Sequence, residues 1–380
     1  MRAALDDLRI VELAAIGPVP YGVMLLADLG AEVIRVDRVA AAQGRPGAEA
    51  SMVGLSRNRR SVAVDLKQPA GIEVVRRLAR SADVVVEGFR PGVAERLGIG
   101  PEELRSDHPG LIYARVTGWG QDGPLAPRAG HDLDYAAVAG ALHGIGEADR
   151  PPPPPINYLA DFAGGGAFLA IGVLAAVVER HHSGEGQVLD VAMVDGAASL
   201  TAFLHGLRQL GAWSLDRNSN LLDGASPFYR AYRCADGRFL AVAALEPQFH
   251  EALCRALGLD PAEWPQHEPA RWPQQTEALG QLFATRDRDA WVAMLGDDDT
   301  CVAPVLDLDE APAHPHNQAR RTFVEAFGTV QPAPAPRLSR TPGGIDRPPP
   351  GFGQHTDEVL TSLGYRPDDL TRLRAAGAIA

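Results

Sequence analysis

The stretch "RAGHDLDYAAVAG", Arg128 to Gly140, sets a histidine beside an aspartate, His131 and Asp132, ahead of small residues that carry no reactive group. Three uses are open to His131. Imidazole changes charge between about pH 5 and 8 and so serves as a general base; it is also a common metal ligand, and a lone histidine is often a hydrogen-bonded member of a core. A metal pair with Asp132 is the weakest of these, because neighbours on a regular element cannot both face one ion and no partner cluster is evident. Asp161 is a second candidate, in "NYLADFAGGGAFLAIGVL". Its structural use is as an N-cap of the apolar helix that follows. Its functional use draws on Gly164, Gly165 and Gly166: glycines let a ligand approach the backbone, and free amides here, at Asp161, Gly164 and Gly165, can hold a developing oxyanion. Glu246, in "AVAALEPQFHEALC", precedes a proline at a helix start, where a surface glutamate is equally at home. His181 and His182, in "VERHHSGEG", stand where a helix gives way to a glycine turn; the helix dipole favours them there, and they are read as structural.

The first third of the chain alternates apolar runs of two periods. Leu8 to Ala14, Ala31 to Asp37, Asp83 to Phe89 and Leu111 to Val116 are β-rich, while Pro20 to Gly30 and Ala70 to Ala82 show helical spacing. Strand and helix at this rhythm predict a mostly parallel, doubly wound sheet. The first turn, "LAAIGPVPYG", lacks the three-glycine dinucleotide fingerprint, and Pro18 and Pro20 stand where backbone amides would be wanted for a pyrophosphate, so a nicotinamide or flavin is rejected. Proline-rich segments at Asp149–Asn157 and Gln331–Gly344 are expected to be extended. Between them, "FYRAYRCADGRFLAVAAL" reads as a hairpin turning at Ala235 to Gly237, and the C-terminal stretch as two helices starting near Thr356 and Asp368. The expected division is a large α/β domain over 1–190, a linker over 191–226, a small domain over 227–320, and a returning segment with C-terminal helices over 321–380.

With 380 residues there is ample material for a core, and 46% hydrophobic and 22% charged residues are those of an ordinary globular protein. A net charge of −12 argues against a general nucleic-acid or anionic-membrane surface, although locally gathered arginines leave an anionic small ligand open. Three scattered cysteines, Cys234, Cys254 and Cys301, suit a reducing cytoplasm. Asp6, Asp7 and Glu12 interrupt any signal peptide, and the longest apolar run, Phe168 to Val178, is too short for a bilayer and reads as a buried helix.

Eight ordered stretches, "IVELA", "LADLGAEVIRVDR", "RNRRSVAVDLK", "VVVEGFRPGV…LGIG", "IYARVTGWGQDGP", "GHDLDYAAVAG", "LADFAGGG" and "GFGQHTDEVLTSLGY", together resemble the class III CoA-transferase superfamily, most of all its α-methylacyl-CoA racemase branch. The resemblance spans essentially the whole chain. It implies an α/β fold: a Rossmann-like doubly wound parallel sheet in the large domain, a smaller α+β domain, and an interlocked homodimer. It implies a cofactor-free isomerase that inverts 2-methylacyl-CoA thioesters through an enolate, with CoA as part of the substrate. Racemases of this kind carry histidine in the "GHD" motif where the acyl-CoA transferases typically have another residue. On this likeness His131 and Asp161 are the acid/base pair, and Glu246 of a partner chain supports the histidine. In a transferase, the alternative, Asp161 would be the nucleophile that forms a mixed anhydride. Cations for the CoA phosphates would come from Arg38, Arg57, Arg59, Arg60, Lys67, the only lysine in the chain, and Arg90. Ile16, Ala63, Asp65, Glu87, Tyr135 and Asn157 would also line the CoA or acyl site.

Overall fold

In the first third of the chain, short β-branched runs are buried on both faces, as strands of a covered parallel sheet must be. The computed structural model describes residues 3–42, 53–296 and 298–380. Its main sheet consists of β1 (Arg9–Leu13), β2 (Glu32–Asp37), β3 (Arg59–Ala63), β4 (Val84–Glu87), β5 (Ile112–Thr117) and β6 (Val188–Ala192). All neighbours pair in parallel, in the order β3-β2-β1-β4-β5-β6. That is the order of doubly wound nucleotide-binding folds, and it reverses between β1 and β4. The expected strands are therefore present, with ends shifted by a residue or two.

Alternation along each strand feeds two cores. Val11, Leu13 and Ile34 pack with Val74, Val75 and Leu78 of α2 (Pro69–Arg80) and with Val359, Leu360 and Leu370 of the C-terminal helices. Ile10, Val33 and Ile112 pack on the other face with Val19, Val23 and Leu26 of α1 (Pro18–Asp28) and with Leu169 and Val173. The C-terminal helices are Thr356–Ser362 and Pro367–Ala375, the second starting one residue earlier than expected because proline suits a first helical position. An antiparallel bridge between Val64 and Ile379 ties the chain end to β3.

The glycine-rich segment differs from expectation. Tyr158–Ala167 is a π-helix that runs directly into α4 (Phe168–Ser183), after the short helix α3 (Asp132–Val138). The continuous helix, Tyr158–Ser183, has 26 residues, and an 18-residue window of it has a mean hydropathy of 1.9, so by length and composition alone it equals a membrane span, unlike the run Phe168 to Val178 taken by itself. One of its faces is core, through Leu169, Ala170, Val173 and Ala176. His181 and His182 fall within its last turn, before Gly184 in the left-handed region.

Buried glycines decide how closely this helix is approached. A Cβ on Gly22 of α1 would lie 2.4 Å from the Gly166 carbonyl oxygen, and one on Gly196 of α5 (Met193–Leu200) would lie 1.9 Å from that of Gly164. Two helices thus meet the π segment backbone to backbone, one from each side.

The chain forms two compact units: Met1–Ala139 with Pro155–Leu200 and Arg320–Ala380, and Gly140–Pro154 with Thr201–Ala319. The second unit holds an antiparallel sheet of β7 (Tyr229–Arg233), β8 (Phe239–Ala243) and β9 (Val302–Pro304) over a core that includes Phe228, Trp272, Phe283 and Trp291. Its β7–β8 hairpin turns where expected, with Gly237 at φ 79°.

Gly196→Ala is expected to lower stability by about 1–3 kcal/mol or more, because backbone on both sides must move. Gly172→Ala in α4, whose added Cβ meets only Leu189 Cδ1 at 3.5 Å, should instead leave stability unchanged or raise it by up to about 1 kcal/mol. Urea midpoints of the two variants check the contrast; equal effects would refute the close-approach account.

Candidate active site

Ligands of open parallel sheets collect beyond the carboxyl ends of the strands, where the strand order reverses. Here the turns after β1, β2, β4 and β5 surround a cavity of about 870 Å³, lined entirely by the first unit. The cavity wall is completed by the loop ahead of α3, by α3 itself and by the π segment. His131 and Asp161, thirty residues apart in sequence, both face into it, together with Ile16, Arg38, Arg90, Tyr135 and Asn157.

His131 is the N-cap of α3, exposed toward the cavity, and its backbone N–H donates to the Asp134 carboxylate at 2.9 Å. Asp132, the next residue, turns inward and is 4% exposed. Its Oδ2 accepts the backbone N–H groups of Ala160 and Asp161, each at 2.7 Å. His131 and Asp132 therefore face different surroundings, as expected of sequence neighbours.

Asp161 is not an N-cap; Asn157 holds that position, and Asp161 lies in the first turn of the π segment. Its carboxyl sits over Gly17, where an added Cβ would be 3.0 Å from Oδ2 and where φ is +68°. Helix α1 begins at the next residue, and Pro18 and Pro20 have no N–H, so two donors that a helix start would offer an anion are missing. Burial raises the Asp161 pKa above the ordinary carboxyl value, and the negative charge of Asp132 raises it further; a hydrogen bond from Asn157 and the charge of His131 act in the opposite sense.

Tyr135 is buried, packed edge-on against Trp119 with ring centroids 4.8 Å apart. Its phenol is pushed up to about 12, chiefly by burial and then by the charges of Asp161 and Asp134, with Arg90 opposing. It stays neutral near pH 7.

The arginines divide into two groups. Arg38 and Arg90 are exposed, line the cavity and have no ion-pair partner among the described residues; Arg128 joins them on the same terms. Arg128 stands three positions before His131, and that proximity was the one sequence signal for it. Arg59, by contrast, is 1% exposed: it pairs with Glu12 at 2.6 Å and donates to the Pro20 carbonyl at 2.7 Å. Arg57 is held by Asp28 at 2.9 Å, and Arg60 by Glu32 and Glu358. These three brace the sheet and do not face the cavity, a correction to their expected place among ligand cations. "RNRR" reads as a basic loop, but Arg59 and Arg60 open β3, where Glu12 of β1, Glu32 of β2 and Glu358 of a C-terminal helix bring carboxylates to them.

Further expected lining residues also lie elsewhere. Ala63 is wholly buried at the end of β3, while Asp65 and Lys67 occupy the following loop, where the Asp65 carboxylate accepts the Lys67 N–H at 3.0 Å. Glu87 is wholly buried, pairs with Arg115 at 3.0 Å and accepts the Phe89 N–H, thereby shaping the turn that carries Arg90. Gly164 and Gly165 are buried against Gly196, Met193 and Pro18, and the Asp161 N–H is already committed to Asp132. These three positions do not form an oxyanion hole. Glu246 belongs to the second unit, at the N-cap of helix Pro247–Ala256.

The sequence pattern of CoA-transferase family III matches residues 5–356. The chain is 42% identical over 375 residues to the human protein named alpha-methylacyl-CoA racemase, covering 98% of this chain and 96% of that one. Identity to the mouse protein of the same name is 43% over 374 residues, again 98% and 96% of the two chains. The fold is similar to the crystal structure of a CAIB/BAIF family protein from Brucella suis, with a TM-score of 0.83 and 27% identity, covering 96% of this chain and 100% of that one.

Arg59→Met, which strands the buried Glu12 carboxylate, should cost about 3–5 kcal/mol of stability. Arg38→Ala at the cavity rim should change it by no more than about 0.5 kcal/mol. Urea unfolding of both variants tests the division of the arginines; the reverse ranking would overturn it.

Proposed function

The chain belongs to CoA-transferase family III, and from that premise we propose that it is a racemase, an isomerase that interconverts (2R)- and (2S)-2-methylacyl-CoA thioesters by 1,1-proton transfer. The observation that carries the reading is that His131 and Asp161, from two separate elements, face one cavity at the mouth of the sheet. A hydrogen α to a thioester is weakly acidic, so its removal needs a positioned base and stabilisation of the enolate oxygen. Inversion needs a proton donor on the opposite face. One residue takes the α-proton, the electron pair passes into the thioester carbonyl as an enolate, and the other residue returns a proton to the α-carbon. With the other hand of substrate the two exchange roles, so each must exist in both protonation states. The raised pKa of Asp161 suits it to hold a proton part of the time.

The likeness over nearly the whole chain to proteins named racemase weighs against the transferase alternative. In this reading Arg38, Arg90 and Arg128 receive the phosphates of CoA, and apolar residues of the cavity, among them Ile16, Phe162 and Met193, receive the acyl chain. The reading extends to Glu246 of a partner chain steadying His131 within an interlocked homodimer. The reading takes CoA as part of the substrate with no further cofactor, involves neither nucleic acid nor membrane, and sets the reaction in the cytoplasm; the missing dinucleotide fingerprint, the acidic net charge and the three scattered cysteines respectively support these points.

In deuterium oxide, with one enantiomer of a 2-methylacyl-CoA and no acceptor acid, the protein should incorporate α-deuterium and erase optical purity. His131→Ala and Asp161→Asn should each slow this by on the order of 10²- to 10⁴-fold. CoA exchange into an added free acid, without α-deuterium, would establish transfer instead.

The pH profile of kcat/KM should be bell-shaped, because the active form carries one proton between the two residues. Its acid limb appears when Asp161 is protonated together with His131. The raised carboxyl therefore places this limb above the ordinary aspartate value of about 3.9. An acid limb at or below that value would contradict the assignment.

A further inference from the structure

We propose that Asp132 is the positioning residue of the proton-transfer pair, its carboxylate clamping the start of the π segment to the turn that carries His131. The inference rests on the racemase reading above and adds a residue to it. Asp132 follows His131 directly, so wherever the imidazole stands, this carboxylate stands one residue behind it. Its Oδ2 accepts two backbone N–H groups at 2.7 Å, and one of them is that of Asp161 itself. The clamp therefore joins α3 to the π segment at the two residues that must flank one carbon. Such double acceptance from backbone donors also fixes the direction in which the Asp161 side chain leaves the helix.

The clamp has an electrostatic consequence. The other oxygen, Oδ1, is buried without a hydrogen-bond partner among the described residues, so the charge of Asp132 is only partly balanced by donors. That buried charge lies beside the half-buried Asp161, and it disfavours a second carboxylate there. The groups acting on the Asp161 carboxyl are His131 from the cap of α3, Asp132 and Tyr135 from α3 itself, and Asn157 from the cap of its own segment. From the other packed elements, the N-cap of α1 presents the Gly17 backbone and α5 presents Met193 to the cavity. Asp132 thus holds the proton donor in place and keeps it protonatable, without touching substrate.

The two roles separate in two variants. Asp132→Asn keeps an oxygen able to accept both N–H groups but removes the charge; Asp132→Ala removes both. With [¹³C]carboxyl-labelled aspartate in the full-length protein, the Asp161 resonance, assigned by its loss in Asp161→Asn, should titrate lower in Asp132→Asn by on the order of one pH unit. The acid limb of kcat/KM should move down with it. In Asp132→Ala, kcat for α-deuterium exchange should fall by on the order of 10²-fold with KM for the thioester nearly unchanged, since misplacement of a catalytic group affects the chemical step. Asp132→Asn should recover part of that loss. The proposal is overturned if the Asp161 midpoint stays put in Asp132→Asn, or if both variants lose rate only in step with thermal stability. Failure of the unaltered protein to exchange the α-hydrogen would sink the racemase reading by itself, and the titration of Asp161 would still judge Asp132.

Discussion

The architecture turns on the contact of backbone with backbone along the π segment. Helices normally keep 8–10 Å between axes because side chains intervene. At Gly22 against Gly166 and Gly164 against Gly196 those side chains are missing, and the π segment is gripped from both sides. That grip sets the depth at which Asp161 stands over the sheet, and hence whether its carboxyl reaches the cavity opened by the strand ends. The π geometry belongs to the same constraint. Wider turns of this kind recur at functional sites, and here they fall on the residues that carry the carboxyl and its three following glycines.

Around this frame, charge is managed in two ways. Within the sheet, Arg35 with Asp37, Arg59 with Glu12 and Arg115 with Glu87 are buried as pairs. Such pairs are costly to break, because the survivor remains as an uncompensated charge in a poor solvent for it. Asp161 is treated differently: it has no arginine partner among the described residues, helix donors are withheld by Pro18 and Pro20, and the charge that acts on it most is that of another carboxylate, Asp132. The contrast separates carboxylates that hold the fold from one that the proposed mechanism uses to exchange a proton. The same division runs through the arginines, with Arg57, Arg59 and Arg60 paired and Arg38, Arg90 and Arg128 facing the cavity.

Much of this was legible in the linear chain. Alternating apolar periods gave the strands and helices of the doubly wound sheet, since burial on both faces leaves an unmistakable β-branched run. The pairing of His131 with Asp161 came from eight ordered motifs. The edge strand β6, "VLDVA", is harder to read because it is only five residues long and is buried only in its last two. Arginine function was misjudged at Arg59 for a related reason. A basic residue looks the same in sequence whether it meets water, a ligand or a buried glutamate forty-seven positions away.

The sequence by itself determined the period of each element, the absence of a dinucleotide fingerprint, and the chemical groups available for proton transfer, because these follow from residue type and near spacing. Only the tertiary structure decided which charges are spent on the fold and which face the cavity, why three glycines serve packing rather than ligand approach, and that the carboxylate beside His131 holds the backbone of Ala160 and Asp161. Those outcomes depend on atoms that long loops bring within a few ångströms of one another, and hydrogen bonding and desolvation act over that distance in space, irrespective of separation along the chain.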